Sequence, residues 1–177
     1  MEEAGVQIRP ATLDDVEKIR QSVQYTLANP AGRPQRKRFE EAIQRHELVV
    51  LARYDPRERT DRVIGFAEWH TRVDNTVTIR DLGTAGETPN LGILKRLVRE
   101  LLRMLSPAVA TVKLRQDQPL WNSVFEETAG FQLEGQEFSR PYWRNIWTWT
   151  PERERALLRP ARPTPAPGVP AARRRRR

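Results

Sequence analysis

Residues 76–105 read TVTIRDLGTAGETPNLGILKRLVRELLRML, and this stretch decides the fold. Residues 76–82 predict a strand, a glycine-bearing loop follows, and a long amphipathic helix begins near Gly92. The apolar stripe of that helix comprises Leu94, Val98, Leu101 and Leu105. Because the start of a helix has N–H groups without partners and the positive end of the helix dipole, this junction is typical of an anion-binding site.

The composition of this 177-residue chain restricts its sites, while leaving room for one domain with its own core. The absence of Cys excludes disulfides, thiolate metal sites and a Cys nucleophile. His46 and His70 lie at ligand spacing from no pair of carboxylates, so no metal site is predicted. The first ten residues lack the apolar core of a secretion signal, and no run approaches the roughly 18 apolar residues of a membrane span. We therefore expect a cytoplasmic location.

The positive charge is concentrated at the C-terminus. Of the net charge of +8, residues 151–177 contribute +7, from nine Arg and two Glu, and they hold six of the fourteen prolines. We therefore predict a folded domain over residues 1–150 and a disordered basic tail over residues 151–177. The residues predicted to contact nucleic acid or an acidic partner are Arg173, Arg174, Arg175, Arg176 and Arg177.

The rest of the chain predicts strands that alternate with helices. Thr12 opens a capping box, and Val16, Ile19, Val23 and Leu27 continue from it at helical spacing. Further helices are predicted over residues 37–45 and 120–129. Strands are predicted over residues 6–9, 48–54, 63–72, 76–82, 110–115, 131–138 and 142–149. The order β-α-α-β-β-β-α-β-α-β-β predicts an α/β fold in which helices cover a mixed sheet.

This order, together with particular residues, resembles the GNAT acetyltransferase family over nearly all of residues 6–149. The fragments that carry the resemblance are Ile8-Arg9-Pro10-Ala11-Thr12, Val63-Ile64-Gly65-Phe66-Ala67, Ile79-Arg80-Asp81-Leu82 and Ala129-Gly130-Phe131. The resemblance implies a GNAT-like fold and an N-acetyltransferase. Such an enzyme transfers an acetyl group directly from acetyl-CoA to an amine, which here belongs to an unknown small molecule or protein.

In that family the strand splays open at the position of residues 82–84, where a backbone N–H binds the thioester carbonyl. The pyrophosphate rests on a loop of the form Gln/Arg-x-x-Gly-x-Gly/Ala. The match places Pro89, Gly92 and Leu94 at the three signature positions, so only the first glycine is kept. Pro89 removes a backbone donor, and Leu94 adds a side chain where close approach is wanted. The predicted acetyl-CoA contacts are Leu82, Gly83, Thr84, Asn90, Leu91, Gly92, Ile93 and Leu94.

The catalytic positions of the family are also changed. Glu126 stands where many members have the Tyr that protonates the leaving thiolate, and Thr78 stands where many have a Glu that deprotonates the amine. Glu126 can donate a proton only if burial raises its pKa. Asp81 and Glu68 are the nearest carboxylates that can replace the missing base. For each of these three acids, an ordinary strand-end or surface role is the alternative.

The sequence therefore leaves two functions open. The first is an active acetyltransferase. The second is a catalytically inactive GNAT-fold binding or scaffold protein that contacts nucleic acid or a ribonucleoprotein through its Arg tail. The aromatic last strand also suggests an edge at which a homodimer can form. Whether the cleft between the fourth and fifth predicted strands is open, or filled by side chains such as that of Leu94, bears most directly on the choice.

Overall fold

The computed structural model describes residues 5–31 and 38–159. Within these residues the elements run in the order β1 (Val6–Pro10), α1 (Leu13–Ser22), β2 (Val23–Thr26), α2 (Phe39–Gln44), β3 (Leu48–Asp55), β4 (Thr60–Thr71), β5 (Thr76–Ala85), α3 (Leu91–Leu105), β6 (Val109–Arg115), α4 (Pro119–Glu126), β7 (Phe131–Ser139), β8 (Tyr142–Trp149) and α5 (Pro151–Leu158). The predicted α/β fold with a mixed sheet is confirmed. None of the helices in these ranges is long and apolar enough to cross a membrane.

One sheet contains all the described strands. Its order is β1-β3-β4-β5-β6-β8-β7, and β2 pairs in addition with β5. The pairing of β5 with β6 is parallel, and the other ladders are antiparallel. The last strand, β8, pairs with β6 on one side and β7 on the other. The prediction that the aromatic last strand is a sheet edge is therefore wrong, because β7 forms that edge.

The sheet has an apolar core on each face. On one face, α3 and α4 contribute the buried side chains of Leu97, Leu101 and Phe125. On the other face, α1 and α2 contribute Ile19 and Phe39. Fully burying one such side chain stabilises the fold by about 1.5–3 kcal/mol, so these two clusters hold the helices on the sheet.

The first helix is shorter than the sequence pattern predicts. The apolar positions continue at helical spacing to Leu27, but α1 ends at Ser22 and the next four residues form β2. Three of those four, Val23, Tyr25 and Thr26, belong to residue types that favour strands, and β5 offers a backbone edge for pairing. Val23 and Leu27 remain buried, so the same apolar residues satisfy a different local structure.

The start of the predicted tail is helical. Residues 151–158 form α5, with Thr150 as the N-cap, Pro151 in the first turn and two Glu near the positive end of the dipole. Arg153 binds the Thr148 carbonyl oxygen at 3.1 Å and the carboxylate of Glu134 at 2.7 Å. The prediction of disorder is therefore wrong for this part. Residues 160–177, including the five terminal arginines, lie outside the described residues.

Candidate functional site

The strand–loop–helix junction predicted from the sequence is present, and its two sides are tied together. The backbone N–H of Asn90 donates to Thr84 Oγ1 at 2.8 Å, which links the start of α3 to the end of β5. The Asn90 side chain caps the helix by accepting from the N–H of Ile93 at 3.0 Å. Leu91 and Gly92 stand in the first turn, where N–H groups have no partner inside the helix. The junction thus presents backbone donors at a fixed place.

The two changed signature residues affect this turn less than the sequence suggests. Pro89 precedes the N-cap, so its missing N–H lies outside the first helical turn. The Leu94 side chain is fully buried in the core beneath α3, away from the surface of the loop. Gly92 is exposed, and a Cβ built on it meets only Asn90 Oδ1, at 3.4 Å. A ligand can therefore approach the backbone at Gly92.

The cleft beside β5 opens as expected, because β6 separates from β5. Their pairing ends at Ile79 and Val112, although both strands continue. On its other edge β5 stays paired with β4 up to Thr84. The edge left by β6 is occupied by β2, which pairs Thr26 with Gly83 and Val23 with Ala85. A strand of the same chain therefore fills the place predicted for the acyl donor.

The backbone of Leu82, predicted to contact the thioester, has partners of its own. Its carbonyl oxygen accepts from the N–H of Leu27 at 2.9 Å. Its N–H donates to Asp81 Oδ1 at 3.0 Å, and the same oxygen accepts from the N–H of Ala28 at 2.8 Å. Asp81 is fully buried. Its carboxylate therefore fastens the turn after β2 to the end of β5.

Of the three predicted catalytic acids, the structure brings two together. Glu68 is 6% exposed and is the register partner of Asp81 across β4 and β5. Both lie on the sheet face covered by α1 and α2, since Phe66, two residues before Glu68, packs in that core. Glu126 is exposed on α4, which packs on the opposite face. It lacks the burial that its proposed role requires.

The sheet face covered by α1 and α2 also carries a carboxylate–histidine pair that was not predicted from the sequence. Glu47 Oε1 lies 2.8 Å from His70 Nδ1, and Glu47 Oε2 accepts from Arg45 Nε at 2.8 Å. Burial opposes ionisation of Glu47, but hydrogen bonds from Arg45, His70 and the backbone of Thr71 outweigh it, so the pKa of Glu47 lies below its usual value. His70 is the register partner of Thr78.

The register of the hairpin predicted from residues 48–54 and 63–72 could have indicated that Glu47 lies near His70. Leu48 pairs with Glu68, which brings the residue before Leu48 alongside the end of β4, where His70 lies.

No group of three or more possible metal ligands occurs among residues 5–31 and 38–159.

Lys95, in the second turn of α3, is paired within the chain. Lys95 Nζ lies 2.6 Å from Glu127 Oε2, which follows the end of α4. Positive charge near a helix start opposes the dipole, so a cation there requires a negatively charged partner. The contact with Glu127 supplies a partner within the chain and joins α3 to α4.

Comparison with solved structures identifies the fold. A GNAT-family acetyltransferase from Bacillus cereus ATCC 10987 matches with a TM-score of 0.63 at 13% identity, covering 82% of this chain and 96% of that chain. The chain has the GNAT fold. The ribosomal-protein-S18-alanine N-acetyltransferase of Escherichia coli also matches the present chain. Its TM-score is 0.59 at 14% identity, over 81% of this chain and 92% of that chain. No family model matches the sequence, and no curated protein matches it significantly.

A third GNAT-fold match was solved with a cofactor. It is a Bacillus anthracis protein described as a streptothricin acetyltransferase, in complex with acetyl coenzyme A. Its TM-score is 0.59 at 14% identity, over 82% of this chain and 98% of that chain. At these identities the likeness establishes the fold alone, because one fold serves many functions.

Proposed function

We propose that this protein is a GNAT-type N-acetyltransferase that transfers an acetyl group from acetyl-CoA to an amine. One observation carries the proposal: β6 leaves β5 after Ile79, and the splay opens beside an α3 start that Asn90 ties to Thr84. Acetyl-CoA is the expected cofactor, and a cytoplasmic location is part of the same proposal. The acceptor is an amine of a small molecule or a protein.

In this proposal, different residues between Leu82 and Leu94 contact different parts of acetyl-CoA. Leu82, Gly83 and Thr84 form the strand end that faces the acyl group, and Asn90 holds the loop to that strand. The first turn of α3 receives the pyrophosphate, since its N–H groups and the helix dipole favour negative charge. Gly92 allows the phosphate oxygens to come close to that backbone.

The proposed chemistry needs one base and one acid. The amine nitrogen attacks the thioester carbonyl carbon, a C–N bond forms, and the C–S bond breaks to release the CoA thiolate. The nitrogen loses a proton to the base, and the thiolate takes one from water, which serves as the acid. Asp81 already accepts two backbone N–H groups through Oδ1, so we assign proton removal to Glu68 beside it. Glu126, on the opposite face, is not assigned a role.

Calorimetric titration of the purified protein with acetyl-CoA tests the proposal. We expect saturable binding of one molecule per chain, and a Glu68→Gln variant should bind equally well but release CoA more slowly from a panel of primary amines. Both the wild-type protein and the variant should therefore give a measurable heat of binding. If neither acetyl-CoA nor CoA binds at about 1 mM, where the binding free energy is about −4 kcal/mol, the proposal is wrong.

The occupation of the β5 edge by β2 favours the second candidate, a GNAT-fold binding protein without catalysis. It predicts a folded protein that fails the same titration. Its nucleic-acid part rests on the terminal arginines, which lie outside the described residues and stay a prediction. Nucleic-acid binding through them should weaken steeply with added salt, because it releases counterions.

A further inference from the structure

The segment that occupies the donor edge is joined to β5 by a short ladder. Strand β2 has four residues, and its register with β5 is interrupted between Val23 and Thr26. Two backbone hydrogen bonds flank the paired residues: Leu27 N–H to the Leu82 carbonyl oxygen at 2.9 Å, and Gly86 N–H to the Ser22 carbonyl oxygen at 3.1 Å. The ladder between β4 and β5 is much longer, with partners from Gly65 to Thr71.

The side chains of the segment nevertheless fit the site closely. Thr26 is fully buried and Val23 is 1% exposed. A Cβ built on Gly83 lies 2.7 Å from Val23 Cγ1 and 2.6 Å from a ring carbon of Phe66. Only glycine lets Val23 pack directly on the strand at this point, because any larger residue overlaps it. The contact between β2 and β5 is therefore a built part of the fold.

We propose that β2 is a releasable strand that closes the acyl-donor site and that has to leave β5 before the thioester can reach Leu82. The inference rests on the proposed function. An extended strand and the arm of CoA, which contains two amide groups, present the same kind of donors and acceptors to the edge of β5. Both cannot pair with that edge at once. Only molecules in which β2 is released can then bind the donor. Because these molecules are a small fraction of the total, the apparent affinity for the donor is reduced in proportion to that fraction.

The carboxylate of Asp81 belongs to the same closure. It accepts from Ala28 on the segment and from Leu82 on β5 through one oxygen. The next turn is fixed by Thr26 Oγ1, which accepts from the N–H of Asn29 at 3.0 Å. Release of β2 breaks the bond from Ala28 and leaves Asp81 beside Leu82. The carbonyl oxygen of Leu82, which accepts from Leu27 while β2 is in place, then becomes available to an amide N–H of the donor.

A disulfide lock tests the proposal directly, since the chain has no Cys. Val23 and Ala85 are register partners, and the bond from Gly86 to Ser22 flanks them, so they form a non-hydrogen-bonded pair. The Cα atoms of such pairs are about 4.5 Å apart, which suits a disulfide. The test protein carries Val23→Cys and Ala85→Cys. The control carries Glu137→Cys and Arg144→Cys, which are partners in the ladder of β7 and β8.

Acetyl-CoA binding is measured by calorimetry on each protein, oxidised and then reduced with a phosphine. We expect the oxidised lock to bind at least about tenfold more weakly than its reduced form, while the control binds equally in both states. Thermal unfolding of all four samples verifies that they are folded. Equal binding by the oxidised and reduced lock overturns this inference and leaves the proposed function standing. Absence of binding by wild type and by both reduced proteins overturns the proposed function and the inference together.

Discussion

The backbone N–H of Leu27 donates to the carbonyl oxygen of Leu82 across 2.9 Å, on the edge of β5 that β6 has left. This contact joins the residue that follows β2 to the strand end predicted to hold an acyl donor. An acyl donor can bind at this edge of β5 only if β2 leaves it.

Replacing Asp81 with Ala should destabilise the protein. Its Oδ1 accepts from the N–H groups of Leu82 and Ala28, and Leu82 is fully buried, so its N–H would lose its partner without gaining water. A buried unsatisfied group costs about 1–3 kcal/mol. Urea unfolding measures the loss. Asp81→Asn keeps an acceptor oxygen and should lose less; equal losses for both variants would show that the hydrogen bonds are not the cause.

Gly92→Ala should separate stability from binding. Gly92 is exposed in the first turn of α3, and the added Cβ meets only Asn90 Oδ1, at 3.4 Å. Alanine is a better helix former than glycine, by up to about 1 kcal/mol, so the melting temperature should stay the same or rise. Acetyl-CoA should bind more weakly, because the methyl group stands where phosphate approaches the backbone. Unchanged affinity in calorimetry would argue against this turn as the phosphate site.

Glu47→Gln should make stability less dependent on pH. Because the folded-state pKa of Glu47 lies below its ordinary 4.5, its contribution is present above that value and is lost as the pH falls through the folded-state pKa. We expect the variant to be less stable by about 1–2 kcal/mol at pH 7 and the difference to shrink below about pH 4.5. Urea unfolding from pH 3 to pH 7 measures it. Glu152→Gln, in an exposed pair with Arg155, serves as the control and should show no such trend.

Truncation at two points should distinguish α5 from the rest of the predicted tail. Removing residues 151–177 takes away Arg153 and its bonds to Thr148 and Glu134, so the melting temperature should fall by a few degrees. Removing residues 160–177 spares α5 and should leave the melting temperature unchanged. The shorter truncation also removes the five terminal arginines, and it should abolish any salt-sensitive binding of a random RNA oligonucleotide. Retained binding would contradict the predicted role of those arginines.

Much of the fold could be predicted because the periodic apolar pattern and the chain breakers lie within single elements. The stripe from Leu94 to Leu105 defined α3, which ends at Ser106 in the left-handed conformation. The capping box at Thr12 defined the start of α1. The end of α1 was not predictable in the same way, since Val23 suits a buried helix face and a buried strand equally well. Pairing with Ala85, distant in sequence, decided between them.

The candidate site was predicted in outline and missed in its detail. Leu82, Gly83 and Thr84 do end β5 beside the start of α3, as the chain order requires. The bond between Glu47 and His70 was missed because 23 positions separate the two residues, and only the register of β3 and β4 brings them together. Leu94, expected to obstruct the loop, is turned into the core by the helical repeat.

By itself, the sequence determined the order of most elements, the start of α3 and the absence of cysteine side-chain chemistry, because these depend on local periodicity, capping and composition. The tertiary structure decided what lies against the opened edge of β5. Free N–H and C=O groups on a strand edge take whichever partner the fold delivers, and here the fold delivers residues 23–27. That choice depends on contacts between residues more than fifty positions apart, which no local pattern records.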